Sequence, residues 1–144
     1  MFSKACQYGI KASVFIASQS AIGNRVSLKE IAAGINSPEA FTAKILHQLA
    51  KNNILQSLKG PTGGFEIPEG KAETIKLSDI VSAIDGDSIY MGCALGFDHC
   101  DALQPCPMHD KFVDIRDNLK QMLKTTSLHE LANGVDVGLS FLKR

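Results

Sequence analysis

Residues 27–65 read SLKEIAAGINSPEAFTAKILHQLAKNNILQSLKGPTGGF, and this stretch decides the fold. Its start predicts a short helix, because Ser27 and Glu30 form a capping box and Gly34 follows as a stop. A second helix is predicted from Ser37-Pro38, with serine at the N-cap and proline at the first helical position, where its missing N–H costs nothing. Two short helices joined by a glycine-containing turn are typical of a helix-turn-helix.

The second of these helices has one apolar and one small, basic face. Phe41, Ile45 and Leu49 recur on the apolar side, at the spacing of one helix face. The opposite face suits a recognition helix, which enters the major groove of DNA, although any amphipathic surface helix could show the same pattern. The predicted DNA-contacting residues of this region are Ser37, Glu39, Ala40, Thr42, Ala43, Lys44, His47 and Lys51.

A glycine-rich hairpin follows the second helix directly. Residues 54–59 and 65–67 predict two short strands, and Gly60-Pro61-Thr62-Gly63-Gly64 between them is a dense turn signal. A hairpin in this position is a wing, whose glycines let the backbone approach phosphate. The alternative is a surface hairpin without a partner, whereas a P-loop is excluded because its motif is absent. The predicted DNA contacts of the wing are Lys59, Gly60, Thr62 and Gly63.

Composition and charge agree with a globular chain that has one basic half. Of 144 residues, 44% are hydrophobic and 21% are charged, and the net charge is zero, which is not the composition of a disordered chain. Residues 1–60 nevertheless hold seven Lys and Arg against two acids, and the remainder holds eight against thirteen. The first sixty residues could therefore face phosphates, although a lopsided surface also arises by chance.

No targeting or membrane-spanning segment is evident. The N-terminus lacks a basic region followed by an apolar one, which a signal peptide requires. No apolar run reaches the roughly 18 residues that span a bilayer. We expect a cytoplasmic protein that does not associate with a membrane.

Helical patterns also cover residues 3–19, residues 77–85, a long segment from Met108 and a short segment after Ser127. In the long segment, apolar residues recur in steps of four, three, four and three, like a coiled-coil seam. The helix could pack on its own domain, but the narrow stripe fits a dimer seam better. The predicted dimer interface is Met108, Phe112, Ile115, Leu119 and Met122.

Three cysteines lie in the irregular polar segment before this helix. Six residues separate Cys93 from Cys100, five separate Cys100 from Cys106, and His109 follows three positions later. Three thiolates and an imidazole make a full tetrahedral ligand set. The wide spacing favours an iron–sulfur cluster, because zinc ligands typically come in closer pairs, but zinc, redox-active thiols and a structural role stay open. His99 is a competing ligand.

The fourth cysteine lies far from this segment, and the sequence shows no catalytic pattern. Cys6 shares a stripe with Ile10 and Val14 and is most simply a buried small hydrophobe. No nucleophile–base pair or paired carboxylates stand out, so we do not expect an enzyme. The classes that compete with a cluster-controlled regulator are a cluster-free regulator that senses thiol oxidation or a small molecule, and a small electron-transfer protein.

Several motifs together resemble a known family. Residues 27–32, residues 41–49, the wing pattern S-x-[RK]-G-P-x-G-G-[FY] at 57–65, Leu77-Ser78-Asp79-Ile80-Val81 and the cysteine loop occur in the same order as in the IscR-type winged helix-turn-helix repressors. The resemblance covers essentially the whole chain. It implies a homodimer on a pseudo-palindromic operator in double-stranded DNA, with the recognition helix in the major groove and the wing in the minor groove.

The resemblance also implies a cofactor. In cluster-binding members, three loop cysteines hold a 2Fe-2S or 4Fe-4S cluster, and His109 stands where the iron–sulfur regulator has its fourth ligand, which favours a 2Fe-2S cluster on Cys93, Cys100, Cys106 and His109. The first cysteine gap is one residue longer than in the family. Gln7 replaces the acidic ligand of the nitric-oxide-sensing branch, and Ala43 replaces a glutamate that helps to choose bases.

These patterns predict a mainly α fold with a small β-hairpin wing, that is, a winged helix-turn-helix with a long dimerisation helix. We assign residues 1–86 to the DNA-binding domain, 87–107 to the cluster-binding loop, and 108–144 to the dimerisation helix and the C-terminal helix. The expected function is transcriptional regulation, as a repressor whose operator affinity depends on the cluster.

Overall fold

The computed structural model describes residues 1–144 and has seven helices and one antiparallel two-stranded sheet. The elements in chain order are α1 (Lys4–Ala21), α2 (Leu28–Gly34), α3 (Glu39–Lys51), β1 (Gln56–Leu58), β2 (Gly64–Glu66), α4 (Leu77–Asp85), α5 (Ser88–Met91), α6 (His109–Thr125) and α7 (Leu128–Asp136). The predicted mainly α fold with a hairpin wing is confirmed. The single-turn helix α5 was not predicted.

Serine side chains begin three of the helices, as the sequence predicts. Each hydroxyl oxygen accepts a hydrogen bond from the backbone N–H three residues later, which satisfies a donor that the helix itself leaves free. The pairs are Ser3 with Cys6 at 3.0 Å, Ser27 with Glu30 at 3.2 Å, and Ser127 with Glu130 at 3.1 Å.

The predicted start of α3 is wrong by one residue. The helix begins at Glu39, and Pro38 is the N-cap, with an extended ψ of 134°. The carbonyl of Pro38 accepts the first helical hydrogen bond, from the N–H of Thr42 at 2.9 Å. Ser37 therefore lies just before the helix, and its hydroxyl contacts that of Thr42.

The main core lies between α1, the helix-turn-helix and α7. Its members are apolar side chains on the inward faces of these helices and of the segments that flank the strands. These side chains pack on one another and so remove their apolar surface from water. The largest fully buried members are Ile16, Val26, Ile31, Ile35, Ile45, Leu46, Leu49, Ile80 and Leu128.

A second, smaller core joins α1, α4, α5 and α6. It consists of Cys6, Leu77, Val81, Tyr90 and Leu123. The prediction that Cys6 is a buried hydrophobe is confirmed, because none of its surface is exposed. Burial, reinforced by the nearby Asp85 carboxylate, raises the pKa of the Cys6 thiol to about 12, so the thiol stays protonated and is a poor metal ligand.

The wing is a three-residue antiparallel pair in which Ser57 lies opposite Phe65. Phe65 also bridges to Val26, whose N–H donates to the Phe65 carbonyl at 3.1 Å. Two glycines are required by this geometry. A Cβ on Gly63 would lie 2.2 Å from the carbonyl oxygen of Leu58, and Gly64 has a φ of +140°, where side chains are strained.

Helix α6 is anchored at its C-terminal end. The N–H of Leu77 donates to the carbonyl of Thr126 at 2.9 Å, and the N–H of Leu128 donates to the carbonyl of Ile75 at 2.8 Å. Leu123 is fully buried one turn earlier. Because 17 residues extend over about 25 Å, the start of α6 and the cysteine loop lie at the far end from this anchor.

The predicted dimer seam divides into exposed and self-packed residues. Leu119 packs against the second core of its own chain, as the alternative to a dimer seam anticipated. Phe112 is half-buried, whereas Met108, Ile115 and Met122 are 42%, 60% and 44% exposed. A dimer interface on this stripe stays a prediction, and it concerns mainly the three exposed side chains.

Removing the Leu123 side chain should loosen the anchor of α6. We expect Leu123→Ala to lower the free energy of unfolding by about 2–5 kcal/mol, because it leaves a cavity in the small core. Gln121→Ala, on the exposed side of the same turn, should change it by less than about 0.5 kcal/mol. Urea unfolding at a fixed protein concentration measures both, and equal stability of the two variants would contradict the anchoring role.

Candidate metal centre and nucleic-acid interface

The segment between α5 and α6 brings the four predicted ligands to one cavity. Cys93 and Cys106 form one pair, with 3.7 Å between their sulfur atoms, and Cys100 and His109 form another, with 3.4 Å between Sγ and Nδ1. Both pairs line a cavity of about 450 Å³. All three cysteines are free thiols that are partly exposed, so they are accessible from this cavity.

The distance between the two ligand atoms of each pair is close to the ligand–ligand distance in a tetrahedral metal site. A metal–sulfur bond of about 2.3 Å gives a sulfur–sulfur edge of about 3.8 Å in a tetrahedron, close to the Cys93–Cys106 distance. No three of the His, Cys, Asp and Glu side chains converge on a point that a single metal ion could occupy. The four side chains therefore form two separate pairs and not one closed mononuclear site.

Backbone amides surround one of the sulfurs. The N–H groups of Leu95 and Phe97 face Cys93, and their hydrogen bonds hold the pKa of this thiol below its ordinary value. A lowered pKa favours the thiolate, which is the form that binds metal. Hydrogen bonds to cysteine sulfur are also a usual feature of iron–sulfur sites, so the local backbone suits the predicted cofactor.

Arg116 belongs to this site, and the sequence reasoning missed it. Its Nη1 donates to the carbonyl of Gly92 at 3.2 Å, which ties α6 to the start of the cysteine loop. A hydrogen bond to Cys100 raises the pKa of the guanidinium above its ordinary value, so a positive charge stays beside that sulfur. The available signal was its position seven residues after His109, on the same helix face.

The competing histidine lies in the same cavity but is not paired with a cysteine. His99 is exposed and lines the cavity, whereas His109 is half-buried at the first turn of α6 and contacts Cys100. Of the two histidines, His109 is the one in contact with a cysteine, and its role as the fourth ligand stays a prediction.

A polar contact connects the loop to the DNA-binding half. The hydroxyl of Tyr90 donates to the Asp87 carboxylate at 2.7 Å and lies 3.1 Å from the hydroxyl of Ser82 on α4. Helix α4 in turn packs on α1 and α3.

The predicted recognition helix presents most of its predicted DNA contacts to solvent. Glu39, Ala40, Lys44, His47 and Lys51 are exposed, and Ser37 and Ala43 are half-buried.

Thr42 requires a correction to the predicted set of DNA contacts. This residue is 1% exposed, and its hydroxyl donates to the carbonyl of Pro38 at 2.7 Å. Thr42 therefore stabilises the start of α3 from inside and does not belong to the DNA-facing set.

In the wing, Lys59, Gly60 and Thr62 are exposed and Gly63 is half-buried. The sequence reasoning missed the contacts of Arg25 that hold the wing. Arg25 donates to the carbonyl of Thr62 at 2.9 Å and forms a salt bridge with Glu66 at 3.3 Å. These contacts fix the tip of the wing against the segment that precedes α2.

Residues 2–134 match the Rrf2 family, which is described as an iron-dependent transcriptional regulator. The chain belongs to the Rrf2 family. A protein of Aquifex aeolicus, whose name places it among HTH-type transcriptional regulators, is 29% identical over 92% of each chain. The HTH-type transcriptional regulator IscR of Escherichia coli is 27% identical over 91% of this chain and 79% of its own length.

Solved structures show the same fold for this Rrf2 protein. CymR, titled the global cysteine regulator of B. subtilis, superposes with a TM-score of 0.76 at 24% identity, over 92% of this chain and 96% of its own. IscR of T. potens superposes with a TM-score of 0.72 at 19% identity, over 97% and 92%.

The family match confirms the predicted resemblance and the prediction of a DNA-binding transcriptional regulator. Its members are regulators of transcription, which agrees with the expectation of a non-enzyme. In this structure none of the helices has the length and apolar character needed to cross a membrane.

Lys59 provides a test of the wing. Because its charge is exposed in the turn of the hairpin, directly after β1, Lys59→Ala should weaken DNA binding about equally on all sequences and reduce the salt slope by about 1. Lys111→Ala on α6 removes one exposed charge in the same way and should leave the slope unchanged. A salt titration of fluorescence anisotropy measures both, and identical curves for the two variants would remove Lys59 from the interface.

Proposed function

We propose that this Rrf2-family chain is a cytoplasmic, homodimeric repressor whose operator affinity depends on a 2Fe-2S cluster held by Cys93, Cys100, Cys106 and His109. The observation that carries the proposal is the presence of two ligand pairs, separated by 3.7 Å and 3.4 Å, around one cavity. The description of the family as iron-dependent supports iron as the metal.

In this proposal each ligand pair holds one metal. Cys93 and Cys106 would hold one iron, and Cys100 and His109 would hold the other. Arg116 offsets negative charge beside Cys100, and the amides of Leu95 and Phe97 stabilise the Cys93 thiolate. When bound, the cluster would supply a redox-active centre that oxidants or iron shortage could remove.

Binding of the cluster would change the affinity of the protein for DNA through the packing around α5. A common metal on Cys93 and Cys106 would fix the segment that follows α5, which ends two residues before Cys93. Tyr90 connects α5 to Ser82 on α4, and α4 contacts α1 and α3. We propose that this connection sets the position of α3 relative to the partner copy, which must match the spacing of DNA half-sites.

The proposed domain arrangement follows from the same contacts. Residues 1–86 would bind DNA, 87–107 would hold the cluster, and 108–144 would carry the dimer interface and the final helix. The exposed stripe of Met108, Ile115 and Met122 would pack against its copy, because three large apolar side chains in a row are costly in water. A dimer also doubles the contact with a pseudo-palindromic operator.

The direct test is the absorption spectrum and the iron-to-sulfide ratio of protein purified without oxygen. We expect a brown protein with equal iron and sulfide, and Cys93→Ala should abolish both. Cys6→Ala is the matched control, because the buried Cys6 lies outside the cavity, and this variant should keep its cluster. A Cys93→Ala protein that retains the full spectrum would contradict the ligand assignment.

Gel-shift titration tests the regulatory part of the proposal. The operator is selected from a random duplex pool with the full-length protein, and its affinity is compared between cluster-loaded protein and the Cys93→Ala variant. We expect the two affinities to differ. Equal affinities would contradict cluster control while leaving DNA binding intact.

A thiol switch is a second candidate function, favoured by the Cys93–Cys106 pair. The two sulfurs are 3.7 Å apart, and the Cys93 pKa is lowered, so a modest movement would allow a bond of about 2.05 Å. Peroxide would oxidise the two thiols to a disulfide and be reduced to two water molecules.

Mass spectrometry separates this candidate function from the first. A thiol switch predicts a colourless protein after attempted cluster reconstitution and a peroxide-induced Cys93–Cys106 crosslink that changes DNA affinity. The absence of that crosslink would exclude the switch.

A further inference from the structure

A second basic surface lies beside the helix-turn-helix and involves the C-terminal tail. A groove of about 610 Å³ is lined by side chains from α1, from the turn between α2 and α3, and from residues 140–144. Four of its lining residues are cations and none is an acid. These cations are Lys4, Lys11, Lys143 and Arg144.

Internal contacts hold the tail in place. The N–H groups of Leu139 and Ser140 donate to the carbonyl of Gly134 at 2.9 and 3.1 Å, and Leu142 packs against the main core. The ammonium of Lys143 donates to the carbonyl of Ala33 at 3.1 Å, near the negative end of α2. Since an ammonium has three donors, this contact leaves Lys143 able to bind an anion as well.

The two lysines of α1 are ordered by one aromatic ring. The Nζ atoms of Lys4 and Lys11 lie 5.2 and 5.7 Å from the centroid of the Tyr8 ring, within the range of a cation–π contact. Tyr8 in turn meets Phe41 of α3 edge to face, at a centroid distance of 5.6 Å. Through Tyr8 the groove therefore lies next to the first half of the recognition helix.

None of the four cations is paired in a salt bridge. The two salt bridges of the structure, Arg25 with Glu66 and His129 with Glu73, involve none of them. A groove that has four available cations and borders the recognition helix is complementary to a nearby row of phosphates.

We propose that this groove binds the phosphate backbone of DNA next to the bases that face α3, and that the C-terminal tail supplies half of its charge. The inference rests on the proposed function, since α3 must first hold the duplex. The contact is independent of sequence, because phosphates carry no base information. It adds a third DNA-binding region to the recognition helix and the wing.

The test is a salt titration of DNA binding by fluorescence anisotropy, with full-length protein on the selected operator and on a mixed-sequence duplex. The variants are Lys143→Ala/Arg144→Ala in the tail and Lys4→Ala/Lys11→Ala on α1. Lys111→Ala/Lys124→Ala on the exposed part of α6 removes the same charge outside the groove. The thermal melting temperatures of all variants are compared, so that detachment of the tail is recognised.

We expect both groove variants to bind several-fold more weakly on both duplexes, with a salt slope reduced by about 1 for each phosphate that the variant no longer binds. The α6 variant should behave like the parent protein.

Parent-like affinity and slope in both groove variants would overturn the inference while the proposed function stands. Tighter binding by the tail variant would overturn it too, since the tail would then shield the helix-turn-helix. A parent protein that binds neither duplex would overturn both proposals.

Discussion

The backbone bridge between residues 75–77 and 126–128 is the constraint on which the candidate metal centre depends. Its two hydrogen bonds, of 2.9 and 2.8 Å, join segments about fifty positions apart in the chain. They fix the starts of α4 and α7 and the end of α6 at one place. Leu123 is buried beside the bridge, and the first residue of α6, His109, lies at the far end of the helix, next to the cysteine loop.

The position of the loop relative to the DNA-binding half follows from the second core. The side chain of Tyr90 is buried in this core. Its hydroxyl donates a hydrogen bond to the Asp87 carboxylate and lies next to the hydroxyl of Ser82. Tyr90 thus links α4 to α5, the helix that precedes Cys93. Arg116 closes the other side of the loop from α6. The segment that precedes the loop is thus connected to α3 through α4, by the Tyr90–Ser82 contact and the packing of α4 on α3.

The sequence predicted those features that are encoded locally. Ser27 and Ser127 marked helix starts because capping chemistry involves residues three apart, and the wing glycines are required by local backbone geometry. The bridge, the short helix α5 and the role of Arg116 were missed, because they depend on contacts between distant segments that leave no periodic pattern. The ligand residues could be named from type and spacing, but their arrangement in two pairs could not. Thr42 was misassigned, since helix periodicity does not show which side of α3 is covered by α1, α2 and α4.

Mössbauer spectroscopy of the protein reconstituted with iron and sulfide, and measured with the cluster in its oxidised state, tests the central claim, that each ligand pair holds one metal. The account predicts two ferric quadrupole doublets of equal area, one for the iron on Cys93 and Cys106 and one for the iron on Cys100 and His109. In His109→Ala the second doublet alone should change. A single doublet, or a single iron per chain, would contradict the two-pair arrangement.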